Sequence, residues 1–220
     1  MIQEHTDGSV ILVDKPLRWT SFDVVKKLRY ALQVKKIGHA GTLDPLASGL
    51  LILCTGKMTK QIDSYQAWEK EYTGTFVIGK TTPSFDLETE VQEGGSIASV
   101  KEEDIRQAAE ELTGVIEQVP PVFSAIKVGG KRAYESARQG KKVELKSREV
   151  TVRLFETDWD GDANINFRII CSKGTYIRSI ARDLGEKLGT GAYMAELRRT
   201  RIGKFQVSDA STIDEIIATV

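Results

Sequence analysis

The sequence predicts an α+β chain built around a largely antiparallel sheet. Two observations lead there: short apolar runs with period two are mixed with runs at helical spacing, and the two kinds do not alternate as a regular β-α repeat. Length and composition agree. At 220 residues a single domain is the default, and 40% hydrophobic with 28% charged residues is enough for a sizeable core.

The elements follow in order. SVILVDKP reads as a strand ending at Pro16. TSFDVVKKLRYAL puts Val24, Val25, Leu28 and Leu32 on one helical face, with Thr20 or Ser21 as N-cap and Asp23 near the positive end of the helix dipole. Lys26, Lys27, Arg29, Lys35 and Lys36 surround the far end of that helix. GHAGTLDPLASG, punctuated by glycines and Pro45, reads as a loop; LLILC is a short buried strand, and KMTKQIDSYQAW suits a helix. KEYTGTFVIG is a strand with Tyr72, Gly74, Phe76 and Ile78 on one side. Residues 81–99 read as an exposed acidic connection, and KEEDIRQAAEEL as a helix capped by Ser99 and stopped before Gly114. QVPPVFSAIKVGGKRAYESARQGKKV reads as a strand, a Gly-Gly turn and a short basic helix. EVTVRLF and INFRIIC are strands, YIRSIARDLGEKL is a helix, AYMAELRRTRIG is a basic strand or turn, and STIDEIIATV is a short helix.

Several functional classes receive no support. No run approaches the roughly 18 to 20 apolar residues of a membrane span, and the acidic, polar start does not resemble a signal peptide, so the expected location is the cytoplasm. Two Cys and two His, widely scattered, assemble no metal site; Cys54 and Cys171 sit in apolar runs and read as buried thiols. No dinucleotide fingerprint or phosphate-binding loop is present, so the expected cofactor set is empty. With no coiled coil or exposed apolar stripe, a monomer is expected.

Charge is more informative in its distribution than in its sum, which is zero. Residues 81–120 carry a local charge of −8 and residues 121–204 a local charge of +8. Such segregation suits a phosphate-binding basic face, although solvated faces of amphipathic elements would give the same counts. Arg198, Arg199, Arg201 and Lys204, with Lys127, Lys131, Arg132, Arg138, Lys141 and Lys142, are the cations available for phosphate contacts.

Asp44, in Gly-Thr-Leu-Asp-Pro, reads by itself as the cap of a following turn with Pro45 at its first position. Gly38 and Gly41 permit close approach to a ligand, and His39 adds an imidazole, so the carboxylate also reads as a nucleophile. Tyr72 is either a stacking face for an extruded base or an amphipathic residue on a half-buried strand. Arg178 lies off the face of Ile177, Ile180 and Ala181, and is either a surface cation or the partner of a carboxylate.

The strings VDKPLRWTSFDVV, KKIGHAGTLDPLASGLLILCTGKMTK, KEYTGTFVIGKTT, LTGVIEQVPPVFSAIKVGGKRAYESARQG, CSKGTYIRSIARDLG and AELRRTRIGKF occur in this order. Together they closely resemble the catalytic domain of the TruB family of pseudouridine synthases, bacterial enzymes that isomerise the uridine at position 55 in the TΨC loop of tRNA. The resemblance implies the pseudouridine synthase fold, tRNA and its T-arm as partner, and no cofactor. It gives Asp44 the part of the essential aspartate, Tyr72 that of the tyrosine stacked on the target base, and Arg178 that of the arginine paired with the catalytic carboxylate. By the same likeness Asp86 helps hold that arginine, although PSFDLETE departs from the family's usual pattern there. His39 resembles the histidine that enters the RNA loop as the uridine flips out. Tyr176 and Leu197 resemble base-pocket residues, and Lys60 a lysine near the cleft. Residues 124–142 resemble a mobile thumb, and no C-terminal PUA domain is expected within this chain. Two other readings use the same residues: a carboxylate-dependent nucleoside hydrolase, which generally wants a second acid for water, and a non-catalytic RNA-folding module.

Overall fold

A computed structural model of the chain describes residues 8–124, 126–128, 131–133 and 145–219. The chain divides into two compact units, Met1–Thr73 with Glu196–Val220, and Gly74–Ala195.

The first unit is organised by β3 (Ala47–Thr55). On one side β1 (Val10–Lys15) runs antiparallel to it, from Val10 opposite Cys54 to Lys15 opposite Gly49. On the other, β2 (Ile37–His39) is antiparallel to its end, while Leu197, Arg198 and Arg199 of β12 (Ala192–Ile202) pair in parallel with Ala47, Ser48 and Gly49. β13 (Phe205–Gln206) turns back on β12. The continuous run LLILC is explained by burial on both faces of β3. Leu51 and Leu53 join Ile11, Val13 and the Val24, Val25, Leu28 face of α1 (Ser21–Ala31), with Ile213 and Ile216 of α5 (Ile213–Ala218). Leu50, Ile52 and Cys54 face Met58, Ile62, Trp68 and Phe205 on the opposite side. Each such aliphatic side chain contributes roughly 1.5–3 kcal/mol on burial.

Helix α1 starts as its sequence predicts. Thr20 is the N-cap: its hydroxyl accepts from the Asp23 N–H at 3.0 Å, and the Asp23 carboxylate accepts from the Thr20 N–H at 2.9 Å. Two strands absorb the ends of the expected loop 38–49, and KMTKQIDSYQAW forms a 3₁₀ turn (Gly56–Gln61) followed by α2 (Ile62–Ala67).

In the second unit β10 (Arg148–Trp159) lies between β11 (Asn164–Cys171) and β7 (Gly114–Gln118), antiparallel to both. β4 (Lys70–Ile78) borders β11, and its Phe76 stacks on Phe167 at 4.0 Å and meets Phe155 edge-on. Short pairs β5 (Lys80–Thr81) with β6 (Gln92–Glu93) and β8 (Lys127–Val128) with β9 (Lys131–Arg132) complete the strands. Helices α3 (Glu102–Glu111) and α4 (Ile177–Lys187) fall where helical spacing predicted them. The α+β class and the mostly antiparallel pairing are therefore observed.

Two local expectations are corrected. α3 is not capped by Ser99: its cap position is Lys101, whose N–H donates to the Asp104 carboxylate at 2.9 Å. The stretch after β5 is not uniformly exposed, because Thr82, Ser84 and Asp86 are buried. The short basic helix after the Gly-Gly turn, and most of the thumb at 124–142, lie outside the described residues.

Candidate active site

In the first unit Asp44 sits, half-buried, in the loop between β2 and β3. The carbonyl of Asp44 accepts from the Ala47 N–H at 3.0 Å, closing a turn that leads directly into β3, so no helix follows for Asp44 to cap. The loop is held from several sides. Buried Ser21 at the start of α1 accepts from the Leu43 N–H at 2.9 Å and donates to the Leu43 carbonyl at 3.1 Å. The Arg18 N–H donates to the Pro45 carbonyl at 2.7 Å, with Arg18 in the left-handed region at φ 66°. Arg199, only 1% exposed, donates from Nε to the Leu50 carbonyl at 2.7 Å and from its terminal nitrogens towards the Thr42 and Gly41 carbonyls.

Arg199 therefore does not serve phosphate, as its place in a basic string suggested. Its neighbours behave likewise: Arg198 grips Asp14 through two bonds of 2.7 and 3.0 Å, and Arg201 pairs with Glu69 at 2.9 Å and Glu71 at 3.5 Å. The glycines also have internal reasons. Gly41 sits at φ 95°, and a Cβ on Gly38 would meet Ile62 Cδ1 at 2.8 Å.

Lys15 is the residue that sequence reasoning passed over. It is fully buried, and its ammonium donates to the Pro16 and Trp19 carbonyls at 2.8 and 2.7 Å. Burial pushes its pKa down to about 8, while the negative charge of Asp44 acts in the opposite direction. The period of β1 carries the signal, since Ile11, Val13 and Lys15 share one buried face. Among the other expected residues of this unit, Leu197 is buried beside Ala47, and Tyr72 is 9% exposed on β4. His39, half-buried at the end of β2, has its pKa lowered first by burial and then by the Arg199 charge. Lys60 is exposed in the 3₁₀ turn.

The second unit carries Asp86, Tyr176 and Arg178. Arg178 is not a surface cation: it and Asp86 are each 4% exposed, with Nε 3.6 Å from Oδ2. The guanidinium also donates to the Ser84 carbonyl at 3.3 Å and the Phe123 carbonyl at 3.0 Å. The other Asp86 oxygen accepts from the Glu88 N–H at 2.9 Å, and the Thr82 and Ser84 hydroxyls donate to the Asp86 carbonyl. Tyr176 is gripped by a residue the sequence reading missed. Gln118, fully buried, accepts from the Tyr176 N–H at 2.8 Å and donates to its carbonyl at 3.1 Å, while the Arg148 guanidinium lies 4.7 Å from the Tyr176 ring centre. Among the described residues no group of three or more His, Cys, Asp and Glu side chains could hold a metal ion. Both cysteines are buried, and burial raises the Cys54 thiol to about 11.

Comparison with known proteins gives consistent matches. The family described as TruB family pseudouridylate synthase (N terminal domain) matches residues 29–177, and the tRNA pseudouridylate synthase B C-terminal domain matches residues 178–220. The tRNA pseudouridine synthase B of Flavobacterium johnsoniae is 50% identical over 96% of this chain and 95% of its own length. That of Thermobifida fusca is 46% identical over 96% of this chain and 75% of its own. Among solved structures, a Cbf5-Nop10-Gar1 complex matches with a TM-score of 0.77 at 31% identity, covering 99% of this chain and 56% of the matched one. An H/ACA RNP bound to a substrate RNA containing 2′-deoxyuridine matches at 0.74 and 29% identity, again with this chain spanning about half of the matched one (55%).

Proposed function

This chain belongs to the TruB family of pseudouridine synthases, and from that premise we infer that it isomerises uridine 55 in the TΨC loop of tRNA, with Asp44 as the nucleophile. Homologous tRNA pseudouridine synthases at about half identity over nearly the whole chain make tRNA uridine isomerisation its activity. The observation that carries the choice of Asp44 is the build of its loop. Ser21, Arg18 and Arg199 hold the backbone on either side of a half-buried carboxylate, leaving its position set by the scaffold rather than by the ligand.

In this reading residues 1–220 act as one catalytic domain, a monomer in the cytoplasm that grips the T-arm; no helix among the described residues is long and apolar enough to cross a membrane. The target uridine leaves its stack, at a cost of a few kcal/mol, offset in part by stacking on Tyr72. His39, with its pKa lowered, enters the RNA loop as a neutral hydrogen-bonding group at pH 7. Asp44 attacks either the ribose C1′ or uracil C6, and the bond from C1′ to N1 breaks. The uracil turns, C1′ bonds to C5, the bond to Asp44 breaks and returns the free carboxylate, the C5 proton leaves with Tyr72 as its acceptor, and N1 gains a proton. Nothing is added or lost overall. The family likeness assigns Leu197 and Tyr176 each to the base pocket, Lys60 to the neighbourhood of the cleft, and Arg178 with Asp86 to charge pairing, and this reading keeps those parts.

The test is to treat unmodified tRNA with wild type and Asp44→Asn, then map pseudouridine and measure tRNA affinity. Wild type is expected to modify position 55; Asp44→Asn should lose at least 10³-fold in rate while binding tRNA within about threefold. Release of free uracil would sink the isomerase reading in favour of a hydrolase. An active Asp44→Asn would remove Asp44 from the chemistry.

A further inference from the structure

The cations named for phosphate contacts in β12 are spent inside the protein, which raises the question of where unspent ones gather. They gather on α1. An open groove of about 1080 Å³ is lined by Arg18, Lys26, Lys27, Arg29 and Lys35, with Trp19 and Tyr30 among them and Asp23 as its single acid. Asp23 is already engaged in the Thr20 capping box. Among the described residues no carboxylate forms an ion pair with Arg18, Lys26, Lys27 or Lys35, in contrast to Arg198 and Arg201. Tyr30 is 88% exposed, an unusual position for a large aromatic side chain with no packing role.

We propose that the α1 groove is a docking surface for the phosphodiester backbone of substrate tRNA, away from the nucleotide that reacts. The proposal rests on the reading that this chain acts on tRNA. Charge complementarity selects the occupant: five cations against one capped acid suit a polyanion, and an exposed Tyr ring between them gives a base or sugar a stacking face. A lipid surface fits less well, because Val24, Val25 and Leu28, the apolar face of α1, are already buried in the core. The groove is also tied to the loop of Asp44 by hydrogen bonds. Arg18, just before the helix, lines it and donates its N–H to the Pro45 carbonyl, and Ser21, the first residue of α1, holds Leu43. Backbone seated on α1 would thus be referenced to the loop through three direct hydrogen bonds.

The test uses the full chain with Lys26→Glu, Lys27→Glu and Lys35→Glu combined, three exposed side chains outside the catalytic loop. Affinity for full-length tRNA is measured against KCl concentration, and pseudouridine formation at saturating tRNA is followed in parallel. The expected result is at least a tenfold loss of affinity near 0.1 M salt and a log–log salt slope shallower by about 2 to 3, with the saturated rate unchanged. The neutral triple Gln variant should fall between, and it keeps the question answerable if the charge-reversed one is unstable. Wild-type affinity and slope in both variants would overturn the proposal, as would loss of binding to anionic vesicles or acidic polypeptide alone. Failure of the isomerase reading is separately visible, as absence of pseudouridine in the wild-type reaction.

Discussion

At the scale of single residues, Lys15 shows how a charge is kept inside the first unit. Its ammonium is fully buried and bonded to two carbonyls, and burial lowers its pKa from 10.5 to about 8. Below pH 8 the folded and unfolded chains both carry the proton, so the native state bears the whole cost of burying the charge. Between about pH 8 and 10.5 the unfolded chain holds more proton, and stability rises with pH. The difference in unfolding free energy between wild type and Lys15→Met should therefore move in favour of wild type by on the order of 2–3 kcal/mol from pH 7.5 to 10.5. Urea titrations across that range check it, and a pH-independent difference would reject it. Asp44→Asn should lower the Lys15 pKa further, since the lost carboxylate was raising it. Lys15 was in part legible, because it lies on the buried side of a strand with period two. What the period cannot give is the partner. Arg199 bonds to carbonyls near Gly41 and Leu50, about 150 residues away in sequence, and nothing local in RRTR marks it off from its neighbours.

At the scale of elements, the junction between β7 and α4 rests on one side chain. Gln118 at the end of β7 satisfies both backbone groups of Tyr176, the residue that precedes α4 and its Arg178. Ser179 adds a bond from its hydroxyl to the Val119 carbonyl at 2.8 Å. Gln118→Leu keeps the volume roughly constant but leaves the part-buried Tyr176 N–H without its partner, while the carbonyl keeps its bonds from the Ser179 and Ile180 N–H groups, at a cost of about 1–3 kcal/mol. Gln118→Glu keeps the acceptor but loses the donor and buries a carboxylate against the Tyr176 carbonyl, so it should lose at least as much at pH 7. Denaturant unfolding of the two variants measures this, and a loss under 0.5 kcal/mol for the Leu variant would show the clamp to be dispensable. Elements with strong periods (β1, α1, β10, β11) were readable because each buries one face, and that face is written in the spacing. Residues 82–86 were not, for the converse reason. Their polar side chains look solvated in sequence but satisfy one another once folded: Thr82 and Ser84 bond to the Asp86 carbonyl, and Asp86 faces Arg178.

At the scale of the whole molecule, charge by segment proves to be a poor guide to charge by face. The acidic block 81–120 is partly neutralised from outside: Asp86 faces Arg178, and Glu111 pairs with Lys187. The basic block 121–204 is drawn down in the same way through Arg178, Lys187, Arg198 and Arg201. The sum of 31 cations and 31 anions says still less, because at 0.1 M salt a phosphate senses charges only within about 10 Å. If net charge governed RNA binding, a neutral protein would bind tRNA with little salt dependence. If local unpaired cations govern it, the slope counts phosphates contacted, not net charge. With Arg18, Lys26, Lys27 and Lys35 as four contacts, log affinity should fall against log salt with a slope near −3.5, or roughly 10²-fold between 50 and 200 mM KCl. Equilibrium binding of unmodified tRNA to wild type across that range gives the slope directly, and a value shallower than about −1 would return the explanation to net charge.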